Sequence, residues 1–236
     1  MFDPWGRGTR QFRGPSRGKV SAQHPGWPEA TEQVHLPASR AFPQGARVRL
    51  RPLLRGDGKV WRQQRIDDEE ILRPVEPTAR DGWEESQSQQ AFWDMLVSLR
   101  TAALNGRILP MVIEVNGHFA GQMTLDNIQH GSLKECWIGY WVYSAYSGGG
   151  VATAACALAT DHAFRRVGMH RVAATYMPSN PASGKVLKAS GYREEGFLRR
   201  YIHIDGRWED HHLVGLVRDD FPDTCVDRLR AAGRIL

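Results

Sequence analysis

Tyr146-Ser147-Gly148-Gly149-Gly150-Val151-Ala152-Thr153 sits between an apolar, aromatic run, Cys136 to Tyr143, and an alanine-rich helical pattern, Val151 to Val167. It reads as strand, glycine turn, helix. Consecutive glycines accept the left-handed backbone such a turn needs and leave its N–H groups uncovered. Those groups can then converge on an anion at the positive end of the following helix. A phosphate suits that chemistry, although the same turn also serves as a plain connector between a strand and a helix.

Two phosphate-binding patterns fail here. A nucleoside-triphosphate loop needs Gly-Lys-Ser/Thr, whereas Gly150 is followed by Val151 and Ala152. A dinucleotide fingerprint needs a third glycine or alanine where Thr153 stands. The region from Trp137 to about Leu216 instead resembles the GNAT acetyltransferases. Their pyrophosphate loop, Gln/Arg-x-x-Gly-x-Gly/Ala, aligns with Ser147-Gly148-Gly149-Gly150-Val151-Ala152, with serine at the first position. Ile138-Gly139-Tyr140-Trp141-Val142 before the loop strengthens the likeness, as do Asn180-Pro181-Ala182-Ser183 and Gly191-Tyr192-Arg193 after it. Tyr176-Met177-Pro178 with Asn180, and Ile204-Asp205-Gly206 with Trp208, Asp210 and His211, are similar to the RimJ/RimL group of ribosomal-protein N-terminal acetyltransferases.

The resemblance implies an α+β GNAT (acyl-CoA N-acyltransferase) fold, with a mixed, mostly antiparallel central sheet flanked by helices. It implies acetyl-CoA as cosubstrate, no metal, and direct attack of an amine on the thioester. The acceptor it implies is the α-amine of a protein N-terminus, of the ribosomal-protein type. Two alternatives are a small amine such as an antibiotic or polyamine, and a non-catalytic module that senses acetyl-CoA and binds ribosome or RNA. The cofactor residues carried over are Trp141, Val142 and Tyr143 on a splayed strand, the loop Ser147, Gly148, Gly149, Gly150, Val151, Ala152 and Thr153, and Asn180 with Ser183. Ser183 is the expected acid for the departing thiolate. The base does not carry over, because the matching positions are Ile202 and Thr175. Glu135, Asp210 and His211 are the replacement candidates.

Composition sets bounds on this reading. At 236 residues and 41% hydrophobic content, the chain buries one full core. Cys136, Cys156 and Cys225 have no metal-type spacing and leave an odd thiol, which favours a reducing compartment. No apolar run approaches the roughly 18 residues of a membrane span, and the basic start lacks a signal peptide's apolar core, so the expected location is cytoplasmic. A net charge of +5 favours anionic partners without choosing among them.

Residues 1–45 hold six prolines, with six basic side chains against three acids, and are expected as a flexible extension. Arg7, Arg10, Arg13, Arg17 and Lys19, interleaved with Trp5 and Phe12, suit a weak RNA contact, although a solvated tail is the better fit to that composition. A catalytic domain is expected over 46–220 and a tail or short helix over 221–236. Val48 to Leu53 alternates as the domain's first strand. Short helical pieces follow at Asp57 to Arg65 and Glu69 to Leu72. Phe92, Leu96, Leu99 and Ala103 form one apolar helical stripe. Strands are expected at Ile108 to Val115, Phe119 to Ile128 and Leu133 to Tyr143, the first two joined by a tight Asn116-Gly117 turn. Arg171 to Tyr176 is a further strand. Asn180 and Pro181 open a helix packed through Ala182, Val186 and Ala189, and a hairpin turns at Asp205-Gly206.

Overall fold

The computed structural model describes residues 24–236. The basic stretch with Arg7, Arg10, Arg13, Arg17 and Lys19, and the RNA contact expected of it, lie outside the described residues. Strands β1 (Val34–Leu36) and β2 (Ala46–Pro52) lead into helices α1 (Gly58–Asp67), α2 (Glu69–Leu72), α3 (Trp83–Ser86) and α4 (Gln89–Leu104). The meander β3 (Leu109–Val115), β4 (His118–Gln129) and β5 (Glu135–Val142) follows. After the glycine turn come α5 (Val151–His162), β6 (Arg171–Tyr176), α6 (Pro181–Ala189), β7 (Arg193–Ile204), β8 (Arg207–Val217) and α7 (Cys225–Ala231).

All these strands join one sheet in the order β1-β2-β3-β4-β5-β6-β8-β7. Among the described residues only β5 and β6 pair in parallel, as expected when a helix connects them. Every residue of β3 is buried, which marks the middle of the sheet. Asn116 and Gly117 both take positive φ, 51° and 88°, in the two-residue turn between β3 and β4. The hairpin of β7 and β8 turns the same way through Asp205 and Gly206. One face of the sheet, presenting Cys136, Ile138 and Val172, packs on the alanines of α5. Trp61 of α1 and Phe92 and Leu96 of α4 cover Val112 on the other. Ser88 caps α4 by accepting the Ala91 N–H at 3.1 Å.

The structure corrects several expectations. The sheet begins at β1, ahead of the strand expected first, because Val34 pairs with Val48 and Leu36 with Ala46. Residues 24–45 therefore pack against the domain: Val34 and Leu36 are buried, and Thr31 Oγ1 accepts the Leu50 N–H at 2.9 Å. In 221–236 the expected short helix forms as α7, and it docks on α5. The Asp161 carboxylate accepts the Cys225 and Val226 N–H groups at 2.8 and 2.9 Å, satisfying two of the donors every helix start leaves open. On α6 the buried residue is Leu187, with Ala182 exposed. On α4 the fully buried stripe continues through Arg100, and Leu99 is only partly covered. No helix among the described residues is long and apolar enough to cross a membrane.

Candidate active site

β5 and β6 run together only briefly. Glu135, Cys136 and Trp137 pair with Arg171, Val172 and Ala173, and there the ladder stops. From Ile138 onward β5 is paired only to β4, while Ala174 to Tyr176 are paired only to β8. A cleft of about 710 Å³ opens in the gap. It is lined by Trp61 and Leu99 from the α1/α4 face and by Tyr140 and Ser183 from the α5/α6 face, so it passes through the sheet.

The free edge of β5 has a defined polarity. The Tyr143 N–H donates to Ala120 O on β4 at 2.9 Å, so the strand's two-residue alternation turns the backbone groups of Val142 and Tyr140 toward the cleft. Of Trp141, Val142 and Tyr143, only Val142 offers its main chain to a ligand arm. Trp141 lines the cleft with its ring, and the Tyr143 hydroxyl donates to Asp67 at 3.2 Å. Buried Asp68 accepts from both the Ser144 N–H (2.7 Å) and its hydroxyl (2.6 Å), tying the α1–α2 junction to the start of the turn.

In the turn, Gly148 and Gly150 have φ of 79° and 87°. Gly150 is the N-cap of α5, and the N–H groups of Val151, Ala152 and Thr153 have no acceptor within the helix. Open N–H groups at a helix start are the kind of donors that can take an anion. Gly149 needs glycine for another reason: any Cβ there would run into the ring of Phe42, which lies against the turn. Ser147 is exposed beside it.

Asn180 caps α6, its Oδ1 accepting the Ser183 N–H at 3.2 Å. The Ser183 hydroxyl lies 3.1 Å from the Tyr140 hydroxyl, which also reaches Ser183 O at 3.4 Å. Burial holds the Tyr140 phenol well above its ordinary range, so it stays protonated and serves as a donor. A serine held at a helix N-terminus by a neutral phenol is placed to give a proton to a nascent anion.

Across the sheet lies a different chemistry. Gln122, Thr124 and Asp126 alternate on the α1 face of β4, opposite Trp141, Gly139 and Trp137. The Trp137 ring stacks on Tyr201, whose ring meets His211 edge-on. Arg65 pairs with Glu76, donates to Gln87 Oε1 at 2.6 Å and sits over the rings of Trp61, Trp83 and Trp141. Burial raises the Asp126 carboxyl to about 6, and no cation among the described residues offsets it.

The expected bases fare unequally. Glu135 lies where the strands are still paired, bound to Arg171 at 2.8 Å and outside the cleft lining. Asp210 accepts the Arg200 N–H at 2.7 Å, on the far side of the β7–β8 hairpin from the cleft. His211 does line the cleft. Tyr140, Asp126 and the Arg65–Glu76 pair escaped the sequence reading. A carboxylate inside the otherwise strand-forming run Phe119 to Ile128 was the available signal for Asp126.

A family model described as an acetyltransferase (GNAT) domain matches residues 47–193. The structure of Mycobacterium smegmatis RimJ in complex with CoA-disulfide is 42% identical, with a TM-score of 0.85 over 90% of this chain and 98% of that one. The Escherichia coli [ribosomal protein uS5]-alanine N-acetyltransferase is 35% identical over 101 residues, 43% of this chain and 52% of that protein. A probable N-acetyltransferase of Bacillus subtilis, YjcK, is 37% identical over 100 residues, 42% of this chain and 55% of that protein. The chain thus spans about half the length of the curated relatives it matches.

Proposed function

This chain belongs to the GNAT acetyltransferase family, and from that premise we propose that it transfers the acetyl group of acetyl-CoA to the α-amine of a protein N-terminus. The observation that carries the reading is the cleft through the parted strands, with the hydrogen-bonded Ser183 and Tyr140 hydroxyls on its wall. The residues fit acetyl-CoA: the glycine turn would take the pyrophosphate on its N–H groups, and the free edge at Tyr140 and Val142 would take the pantetheine arm. Asn180 lines the same passage. The cosubstrate supplies the activated acetyl group.

The protein's share is placement and proton handling. An amine entering from the α1/α4 face attacks the thioester carbonyl, and Ser183 gives its hydroxyl proton to the departing sulfur. Tyr140 keeps that hydroxyl aimed. A ribosomal-protein N-terminus in the cytoplasm is the acceptor supported by likeness to RimJ and to the uS5-alanine enzyme. A polyamine is disfavoured, since of the lining carboxylates Glu76 is already paired with Arg65.

The test is thiol release from acetyl-CoA with a panel of N-terminal peptides and small amines. Peptide-dependent release is expected, with Ser183→Ala lowering kcat by about 10²-fold and leaving acetyl-CoA affinity intact. Tight coenzyme binding with no release on any acceptor would sink the proposal.

A further inference from the structure

On the α1/α4 face of the cleft, Gly139 leaves a gap in the row of side chains on β5. Nothing lies within contact distance of the place a Cβ would occupy there. Trp137 and Trp141 stand on either side of it, two residues away on the same face. In register across β4 lie Gln122, Thr124 and Asp126. Gln122 accepts the Trp61 indole N–H at 3.0 Å, which fixes this face as the one turned to α1. The result is a slot with aromatic walls and one carboxylate, beside the last residues at which β5 and β6 still touch.

Asp126 is distinctive among the cleft's acids. It makes no hydrogen bond or ion pair among the described residues, while Glu76, the other lining carboxylate, is committed to Arg65. Its strand partner, Trp137, is the last β5 residue paired to β6, so Asp126 stands level with the point where the strands part. An ammonium is the ligand such a slot selects: indole faces attract cations, and an unpaired, partly buried carboxylate is relieved by one. Two independent features therefore recognise the same group.

Building on the acetyl-transfer reading, we propose that the slot over Gly139 receives the acceptor's α-ammonium and that Asp126 takes its proton. One N–H bond breaks and one O–H bond forms on Asp126, freeing the nitrogen lone pair. The amine then forms the C–N bond as the C–S bond breaks, and the sulfur leaves with the electron pair. Ser183 protonates the sulfur and recovers the second proton that the nitrogen sheds. Asp126 returns its proton to water, so one proton is released per turnover.

Burial supports the role, because a carboxyl raised to about 6 is ionised at neutral pH yet basic enough to accept. The other charged or titratable groups around the slot are Arg65 with Glu76, Tyr201, His211 and Tyr176, with Cys136, Tyr140 and Glu135 on the neighbouring strand β5. Cys136 and Tyr140 point to the opposite face and burial keeps both protonated.

The experiment compares wild type with D126N, G139V and H211N on a peptide beginning with alanine. Asp126→Asn is expected to lower kcat by about 10²-fold and to abolish the acidic limb of the pH profile. Calorimetry with coenzyme A bound gives a readout besides turnover: the free-amine peptide binds D126N about tenfold more weakly while coenzyme affinity is unchanged. Gly139→Val should raise the peptide KM at unchanged coenzyme affinity and Tm. If wild type turns over and D126N keeps both rate and limb, or H211N alone loses the limb, the assignment of Asp126 is overturned while the acetyl-transfer reading stands. If wild type acetylates no acceptor, that broader reading falls first.

Discussion

Asp126 carries a stability cost that its proposed role explains. Its folded-state pKa is raised by burial, so the ionised form is penalised only in the folded protein. That penalty is absent below the unfolded-state value near 4, grows as pH rises, and levels off above about 6. Asp126→Asn should therefore stabilise the protein at pH 7.5 by about 3 kcal/mol and gain little at pH 4. Urea unfolding at the two pH values checks the sign. A variant destabilised at pH 7.5 would show that the carboxylate has a partner in solution. The same value bears on the choice of acceptor. An α-ammonium, at about 7.7–8.0, is within reach of a base near 6, whereas a lysine ammonium at about 10.4 is some two to three powers of ten worse. At this scale the sequence was a partial guide. Asn180 could be read from its place after a strand-ending proline, at the start of a helix, and the resemblance singled out Ser183 three residues on. Asp126 could not, because only cross-strand register shows that it stands level with the parting of β5 and β6.

Among the elements, the glycine turn and α5 were legible because their signals are local: bare glycines, then an uninterrupted helical pattern. The contact that shapes the turn is not local. Phe42, more than a hundred residues earlier in the chain, fills the space a side chain at Gly149 would need. Gly149→Ala should displace either the ring or the turn and weaken acetyl-CoA binding about tenfold, in the range overpacking costs. Adding Phe42→Ala should restore most of the affinity, as titration calorimetry would detect. Additive losses in the double variant would mean that the two residues do not communicate. The strand β1 that leads to Phe42 was missed for a related reason. Three residues between prolines carry too little periodicity to read, and only pairing with β2 makes them a strand. The meander, by contrast, announced itself through Asn116-Gly117 and long alternating runs.

For the whole molecule, the fold class followed from the family resemblance carried by the motifs around the glycine turn, and the antiparallel meander agreed with it. What no sequence pattern could supply was the gap itself, since the splay is an absence of pairing between two well-formed strands. That gap runs from one face of the sheet to the other, with Ser183 toward α5 and α6 and Asp126 toward α1. Two reactants can thus occupy it together, each through its own doorway, and neither must leave before the other arrives. Initial rates measured against both concentrations should give intersecting double-reciprocal lines, with desacetyl coenzyme competing only against its acetylated form. Parallel lines would instead mean that the acetyl group pauses on the protein between two half-reactions.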